Sequence, residues 1–169
     1  TEFFLFPIYG MELPYMSQAY WERVRNTLEF CRQHEMKCWV YDEYNWPSGV
    51  CAGRVLRDHP EARNRLLWLR TSGEDDDRSE APPGAAEVQE SADVTWAVGA
   101  DTAVRINVKG CDWLSPIPGY LDVLSPEACR RFIEYTHDRY HERAPDMLPD
   151  TISGFFTDEP GFHARASGE

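Results

Sequence analysis

Positively charged residues are scarce in this sequence of 169 residues, which has 17 Lys and Arg against 29 Asp and Glu and a formal net charge of −12. Nucleic acids and anionic membrane surfaces are bound mainly through Lys and Arg, so we expect no nucleic-acid partner and no membrane partner. The sequence also lacks a run of about 18 apolar residues, the length that a transmembrane helix needs. These absences predict a globular domain whose partner is neither a nucleic acid nor a membrane.

Sequence spacings typical of metal sites are lacking too. None of the five cysteines belongs to a C-x-x-C pair, and no Glu lies between His137 and His141 in the order of an H-E-x-x-H motif. Cys31 and Cys129 fall on apolar helix faces, where a thiol acts as a small hydrophobic group. We therefore predict no zinc site and no disulfide framework, and we expect a reducing, cytoplasmic compartment. The start at Thr1, without Met or a basic signal region, predicts a chain that begins within a longer protein, either through processing or because it is a fragment.

Two segments with strand character flank a helical pattern in the first third of the chain. Apolar residues dominate from Glu2 to Ile8 and from Met36 to Tyr41, and Ser17 is a suitable helix N-cap between them. The order strand, helix, strand predicts a βαβ unit with parallel strands. The predicted buried stripe of the helix consists of Tyr20, Val24, Leu28 and Cys31.

A second helix and strand are predicted near the end of the chain. Ser125 is the expected N-cap, with Pro126 at the first helical position, and Pro145 ends the helix. A third strand is expected from Thr151 to Thr157. The predicted buried stripe of this single helix consists of Cys129, Phe132, Ile133, Thr136 and Tyr140.

The segment between these units has a different pattern. Residues 94–98 and 104–108 alternate between apolar and polar side chains, which is typical of half-exposed antiparallel strands, and residues 74–84 form an acidic, Pro-rich stretch expected to be a mobile loop. We predict a barrel βαβ unit at 1–53, a β-rich insertion at 54–121, and a barrel helix and strand at 122–169. Because a complete (β/α)8 barrel needs about 250 residues, the predicted fold is α/β, a partial TIM-like barrel.

Two strands of this predicted sheet end in an acidic pair. Asp42 and Glu43 follow the second strand, and Asp158 and Glu159 follow the third. The carboxyl ends of parallel strands form the catalytic face of barrels, so we expect the two pairs to lie side by side. If Thr157 faces the inside of the barrel, Glu159 projects toward a bound ligand and Asp158 toward the scaffold.

Aromatic, amide and imidazole side chains surround these acids in the sequence. Aromatic faces stack on sugar C–H surfaces, while carboxylates and amides bind hydroxyl groups. Glycoside hydrolysis needs one protonated carboxyl group and a second carboxylate; Glu159 is the candidate general acid, and Glu43, which with Asp42 is expected to line the sugar site, is the second candidate catalytic residue. Both aspartates could instead cap helices or bind backbone amides, and Glu43 could instead bind a ligand or cation. The predicted substrate-binding residues are Asp42, Asp158, Tyr9, Tyr44, Asn45, Trp46, Phe162 and His163.

Three segments resemble large bacterial glycoside hydrolases of the α-L-rhamnosidase-like type. They are residues 37–53, which contain Tyr-Asp-Glu and Trp-Pro-Ser-Gly, residues 120–127, and residues 154–160. The resemblance implies a (β/α)8 barrel with a β insertion inside a longer multidomain enzyme. It also implies that Glu159, after the fourth barrel strand, is the acid catalyst, that its partner comes from a later strand, that the reaction inverts the anomeric centre, and that a calcium ion helps to hold the sugar.

The sequence therefore favours a fragment of a glycoside hydrolase acting on α-L-rhamnoside-like O-glycosides. Within this chain alone, Glu43 and Glu159 are the alternative acid/base pair, since neighbouring strands allow carboxyl separations of roughly 5 to 9.5 Å. A non-catalytic carbohydrate- or calcium-binding module is the alternative from another class. The expected partners are a carbohydrate and the rest of the parent barrel, or a second copy of the chain through self-association.

Overall fold

The computed structural model describes residues 1–8, 10–44, 47–49, 51–71, 87–90, 94–100, 105–106 and 117–160. The fold is mixed α/β, with a small sheet of three parallel strands and a few helices. In chain order the elements are β1 (Glu2–Leu5), α1 (Gln18–Gln33), β2 (Lys37–Tyr41), α2 (Arg54–Asp58), β3 (Arg65–Thr71), β4 (Glu87–Glu90), β5 (Val94–Ala100), β6 (Arg105–Ile106), β7 (Ile117–Pro118), α3 (Pro126–Tyr135), α4 (His137–Arg143) and β8 (Ile152–Phe156).

The parallel sheet has the order β1-β2-β8. Leu5 pairs with Val40 across β1 and β2, and Val40 pairs with Phe155 across β2 and β8, with all three strands running in the same direction. The predicted βαβ unit of β1, α1 and β2 is thus confirmed. Because β8 lies directly beside β2, the loops that follow these two strands leave the sheet at neighbouring positions.

Helix α1 covers one face of this sheet. Its first turn is capped by Ser17, whose Oγ accepts the Tyr20 N–H at 3.2 Å, as the sequence predicted. The helix buries Tyr20, Trp21, Val24, Leu28 and Cys31. Leu28 is 0% exposed, and burying a leucine side chain contributes about 1.5–3 kcal/mol to folding. The helical stripe read from the sequence is therefore what anchors α1 to the sheet.

The single helix predicted between Ser125 and Pro145 is wrong, because the helix is interrupted at Thr136. That residue has φ −123° and ψ −83°, and its hydroxyl donates to the carbonyl oxygen of Phe132 at 2.7 Å. A threonine hydroxyl that bonds the carbonyl four residues earlier competes with the backbone of the next turn, so α3 ends and α4 begins here. The predicted stripe also fails at Ile133, which is 45% exposed.

The two faces of the parallel sheet are packed against different side chains. Cys38, Val40 and Ile152 belong to the buried core together with the α1 side chains. On the opposite face, Phe4, Phe6, Tyr41 and Phe156 form a ring cluster, with Phe6 stacked on Tyr41 at a centroid distance of 4.2 Å. We call this cluster the aromatic face. Phe4 at one edge of it is 60% exposed, so part of the aromatic face meets solvent.

Antiparallel strands fill the described part of the chain between α2 and α3. Strands β3, β5 and β4 form a sheet in that order, and β6 pairs with β7. Antiparallel strands were predicted here at the positions of β5 and β6, whereas β3, β4 and β7 were not predicted. The acidic stretch at 74–84 lies outside the described residues, and the boundaries at 53 and 121 stay predictions.

The two ends of this antiparallel region meet at a short stem. Arg63 and Leu121 form an antiparallel bridge. The Asn64 N–H donates to the Tyr120 carbonyl at 2.8 Å, and the Asp122 N–H donates to the Ala62 carbonyl at 2.9 Å. The chain therefore leaves the vicinity of the parallel sheet and returns to it at adjacent positions.

Candidate functional site

The two acidic pairs lie next to each other at the carboxyl edge of the parallel sheet. Tyr41 pairs with Phe156, and the Asp42 N–H donates to the Phe156 carbonyl oxygen at 3.1 Å. Asp42 directly follows the last paired residue of β2, and Asp158 comes two residues after that of β8. The parallel direction of β2 and β8 is therefore what brings the loop after each strand to the same edge.

Glu43 is buried and organises the loop that follows β2. Its exposed fraction is 0%, and its carboxylate accepts the backbone N–H groups of four described residues. Oε1 accepts from Tyr44 at 2.9 Å and from Ala52, while Oε2 accepts from Gly49 at 3.1 Å and from Cys51 at 2.6 Å. This carboxylate therefore ties Gly49, Cys51 and Ala52 to the end of β2.

The backbone of this loop is shaped to surround an anion. Cys51 and Ala52 both have positive φ, at 50° and 55°, although neither is a glycine. Consecutive N–H groups that converge through left-handed residues form an anion-binding concavity. Here the anion is the side chain of Glu43 itself. Residues in this conformation are strained, and the charge-assisted hydrogen bonds to Glu43 offset that strain.

Asp42 is buried too, and it joins the two loops. Its exposed fraction is 0%. Oδ1 accepts the Ser48 hydroxyl at 2.6 Å, and Oδ2 accepts the Thr157 hydroxyl at 2.6 Å. Nε2 of His137, at the start of α4, lies 3.8 Å from Oδ2. The side chain thus connects the end of β2, the loop at 48 and the end of β8.

Ser48 provides a second connection between the loops. Its hydroxyl accepts the Asp158 N–H at 3.0 Å, and its own N–H donates to the Asp158 carbonyl oxygen at 2.9 Å. The Tyr120 hydroxyl donates to the Ser48 carbonyl. Gly49 has φ 147°, and a Cβ built on it would lie 2.6 Å from the Tyr120 hydroxyl oxygen. Glycine is therefore required where Tyr120 crosses the loop.

Thr157 lies on the helix side of β8, so the condition under which Glu159 was expected to project toward a ligand is not met. The Phe155 ring centroid lies 4.4 Å from that of His137 and 5.5 Å from that of Tyr140, so Phe155 faces the helices. Thr157 has the same strand parity and bonds Asp42 on that side. The physical reason is that the larger apolar cover lies on the helix side, whereas Phe156 belongs to the aromatic face.

Asp158 and Glu159 are the more accessible acids of the site. Asp158 is half-buried and Glu159 is exposed. Glu159 has φ 44°, in the left-handed region, so strand alternation no longer decides its direction. A left-handed non-glycine residue at a strand end is a strained position of the kind found at functional sites.

The other predicted site residues are not found beside the acidic pairs among the described residues. The Tyr44 ring is only 2% exposed and lies 5.9 Å from the Tyr15 ring, inside the core. The remaining five predicted binding residues lie outside the described part of the chain: Tyr9, Asn45, Trp46, Phe162 and His163.

The sequence did not identify the contributions of Ser48, Thr157 and His137. Ser48 stands within a short Pro-Ser-Gly segment, and nothing local signals that its hydroxyl contacts residues after β8. Strand parity offered one signal, since Val40 and Asp42 share a face, and that face is the one covered by helices. With the sheet face known, Asp42 is expected beside α4 and its first residue.

The calcium ion implied by the resemblance stays a prediction. No group of three or more His, Cys, Asp or Glu side chains converges among the described residues. The carboxylate oxygens of Asp42 and Glu43 accept hydroxyl and backbone N–H groups respectively, which are contacts that a cation would have to replace. The four cysteines at 31, 38, 51 and 129 are free thiols.

Within the described ranges, we find no helix that combines the length and the apolar character needed to cross a bilayer.

We also compared the chain with models of protein families, with curated proteins and with solved structures. None of the three comparisons finds a match.

Proposed function

We propose that this chain is part of a glycoside hydrolase that cleaves α-L-rhamnoside-like O-glycosides, with Glu159 as the general acid. The observation that carries the proposal is the position of Asp158 and Glu159 at the carboxyl edge of β8, beside the end of β2 and next to the aromatic face. In the finer fold that we propose, the three parallel strands belong to a (β/α)8 barrel whose catalytic face is this edge.

The aromatic face supports a carbohydrate as the substrate. The Phe4 ring is 60% exposed and lies 5.4 Å from the half-buried Phe156 ring, whose strand is followed by Asp158 and Glu159. Aromatic rings bind the apolar C–H faces of sugars, while carboxylates accept hydrogen bonds from hydroxyl groups. A sugar bound over these rings would have its glycosidic oxygen near the exposed Glu159, which would donate the proton to the leaving group.

The geometry changes the proposed role of Glu43. A general base or nucleophile must reach the substrate, whereas both oxygens of Glu43 accept backbone N–H groups within its own loop. We therefore propose Glu43 as a positioning residue that fixes the loop after β2. The second catalytic carboxylate is then supplied by a part of the barrel beyond these 169 residues.

The same observation favours a second candidate function. With Glu43 occupied, Glu159 is left as one of two carboxylates that hydrolysis requires. A chain that presents the aromatic face and Asp158 without a second catalytic acid would bind a sugar and leave its bonds intact. A non-catalytic carbohydrate-binding module, with or without calcium, is therefore the alternative.

Glu159→Gln separates these functions in the full-length protein. We expect release of methanol from methyl α-L-rhamnopyranoside to fall by roughly 10²–10⁴-fold, because methoxide is a poor leaving group and the amide cannot protonate the leaving oxygen. Binding of rhamnose, followed by saturation-transfer NMR, should persist. Glu35→Gln, at an exposed position after α1, is the matched control and should retain full turnover.

Three results would count against the proposal in different ways. Unchanged turnover in Glu159→Gln would remove Glu159 from the acid role. Sugar binding without turnover in the unmodified protein would favour the binding module. A large rise in melting temperature with added calcium chloride, reversed by EGTA and without turnover, would favour the calcium-dependent form of that module.

A further inference from the structure

A cavity of about 370 Å³ lies on the helix side of the sheet, between α3 and the carboxyl ends of β2 and β8. Most of its wall is apolar and includes Leu121, Val123, Phe132 and Ile133. Asp42 and His137 lie at its polar end. None of the rings of the aromatic face lines it, so this cavity is distinct from the proposed sugar site. Its volume lies within the range of small-molecule pockets, which begins at roughly 300 Å³.

The hydrogen bonds around His137 determine what its ring can bind. The Thr136 hydroxyl donates its one proton to the Phe132 carbonyl oxygen at 2.7 Å, so it must accept from Nδ1 of His137 at 2.8 Å. In the neutral imidazole the other nitrogen, Nε2, is then an acceptor. Burial lowers the pKa of His137, and the neighbouring Asp42 opposes that effect only in part, which favours the neutral ring at pH 7.5.

Two acceptors therefore face each other at this end of the cavity. Nε2 of His137 lies 3.8 Å from Oδ2 of Asp42, which is too far for a hydrogen bond between them. The Asp42 carboxylate is 0% exposed, and no Lys or Arg side chain lines the cavity among the described residues. A buried carboxylate without a cationic partner is costly, and a bound cation would reduce that cost.

We propose that this cavity binds a small organic ammonium ion with a hydrocarbon body. The ammonium group donates hydrogen bonds to Nε2 of His137 and lies in the field of the Asp42 carboxylate, while the hydrocarbon body contacts Leu121, Val123, Phe132 and Ile133. An ammonium carries three donors and no acceptor, which matches an end lined by acceptors. The inference does not depend on the glycosidase proposal, since it uses neither Glu159 nor the aromatic face.

The test is a titration of the chain with benzylamine at pH 7.5, where this probe is a cation, followed by two-dimensional NMR of the backbone amides and the His137 ring. Benzyl alcohol is the neutral probe of nearly the same size. We expect saturable shifts at residues 129–137 and at the His137 ring, with benzylammonium binding at least tenfold more tightly than benzyl alcohol. Equal affinity for the two probes would overturn the proposal, as would shifts confined to other parts of the chain.

Two variants test the two ends of the cavity. His137→Phe keeps a ring against Phe155 but removes Nε2, and we expect at least tenfold weaker binding of benzylammonium. Ile133→Trp fills the cavity from its 45% exposed edge and should abolish binding. Leu124→Trp, at a 72% exposed position that does not line the cavity, is the control and should bind as the unmodified chain does. Unchanged affinity in Ile133→Trp would overturn the proposal even if His137→Phe did not fold.

Discussion

The substitution Glu43→Gln tests whether the buried carboxylate holds the loop after β2. Each of its oxygens accepts the backbone N–H groups of two described residues, so an amide placed in either orientation turns its NH₂ toward at least two donors. A buried donor without its partner costs about 1–3 kcal/mol, so two of them cost about 2–6 kcal/mol. Because Gln and Glu have nearly the same volume, the fall in the free energy of unfolding reports lost hydrogen bonds rather than changed packing.

The assay is equilibrium unfolding in urea, followed by both tryptophan fluorescence and far-ultraviolet circular dichroism. We expect the free energy of unfolding to fall by about 2–6 kcal/mol, a large share of the 5–15 kcal/mol of a typical domain. Glu35→Gln carries the same chemical change at an exposed position and should stay within about 0.5 kcal/mol of the unmodified chain. A fall of less than about 0.5 kcal/mol in Glu43→Gln would refute the reasoning, since Glu43 would then not hold the four N–H groups.

Three further predictions concern stability and association. Tyr140→Phe should lower the free energy of unfolding by about 1–3 kcal/mol, because it removes the hydroxyl that lies 2.6 Å from the Tyr20 hydroxyl in the core. In urea unfolding, the double variant Tyr20→Phe/Tyr140→Phe should recover part of that loss. No recovery would contradict the pairing of the two hydroxyl groups. The Arg57 guanidinium, with the Tyr135 hydroxyl, lowers the pKa of Asp58 from 3.8 to about 2, so this stabilisation is present above pH 3.8 and is lost as the pH falls toward 2. Thermal melting across this range should show a smaller loss for Asp58→Asn than for the unmodified chain, and equal losses would exclude Asp58 as the cause. Light scattering should show self-association that Phe4→Ser weakens, because Phe4 is 60% exposed on the aromatic face; a monomer at high concentration would argue against this surface as an interface.

Local signals in the sequence predicted the main elements well. Ser17 and Ser125 are N-caps as expected, with bonds of 3.2 and 3.3 Å to the N–H groups three residues later. The parallel arrangement of β1 and β2 followed from the helical crossover between them, since a tight turn joins only antiparallel strands. The caps and the helical pattern depend on residues within a few positions of each other, and their spacing is therefore visible in the sequence.

The contacts within the candidate site depend on distant residues and were not predictable in the same way. Thr157 reaches Asp42 across 115 positions, and Ser48 meets Asp158 across 110. The concavity around Glu43 depends on positive φ at Cys51 and Ala52, residue types with no intrinsic preference for that conformation. An Asp-Glu pair after a strand indicates the edge of the sheet, but it does not show which carboxylate turns inward.

The stem at residues 62–64 and 120–122 has a consequence for how this chain tolerates change. Since the polypeptide departs and comes back at one bridge, Arg63 to Leu121, the residues beyond that bridge could be shortened to a turn of about two to five residues without moving β2 or β8. The entropic cost of closing a longer excursion rises only slowly with its length. We therefore expect that the antiparallel region can be removed or exchanged as one module, while the strand ends that carry the acidic pairs keep their spacing.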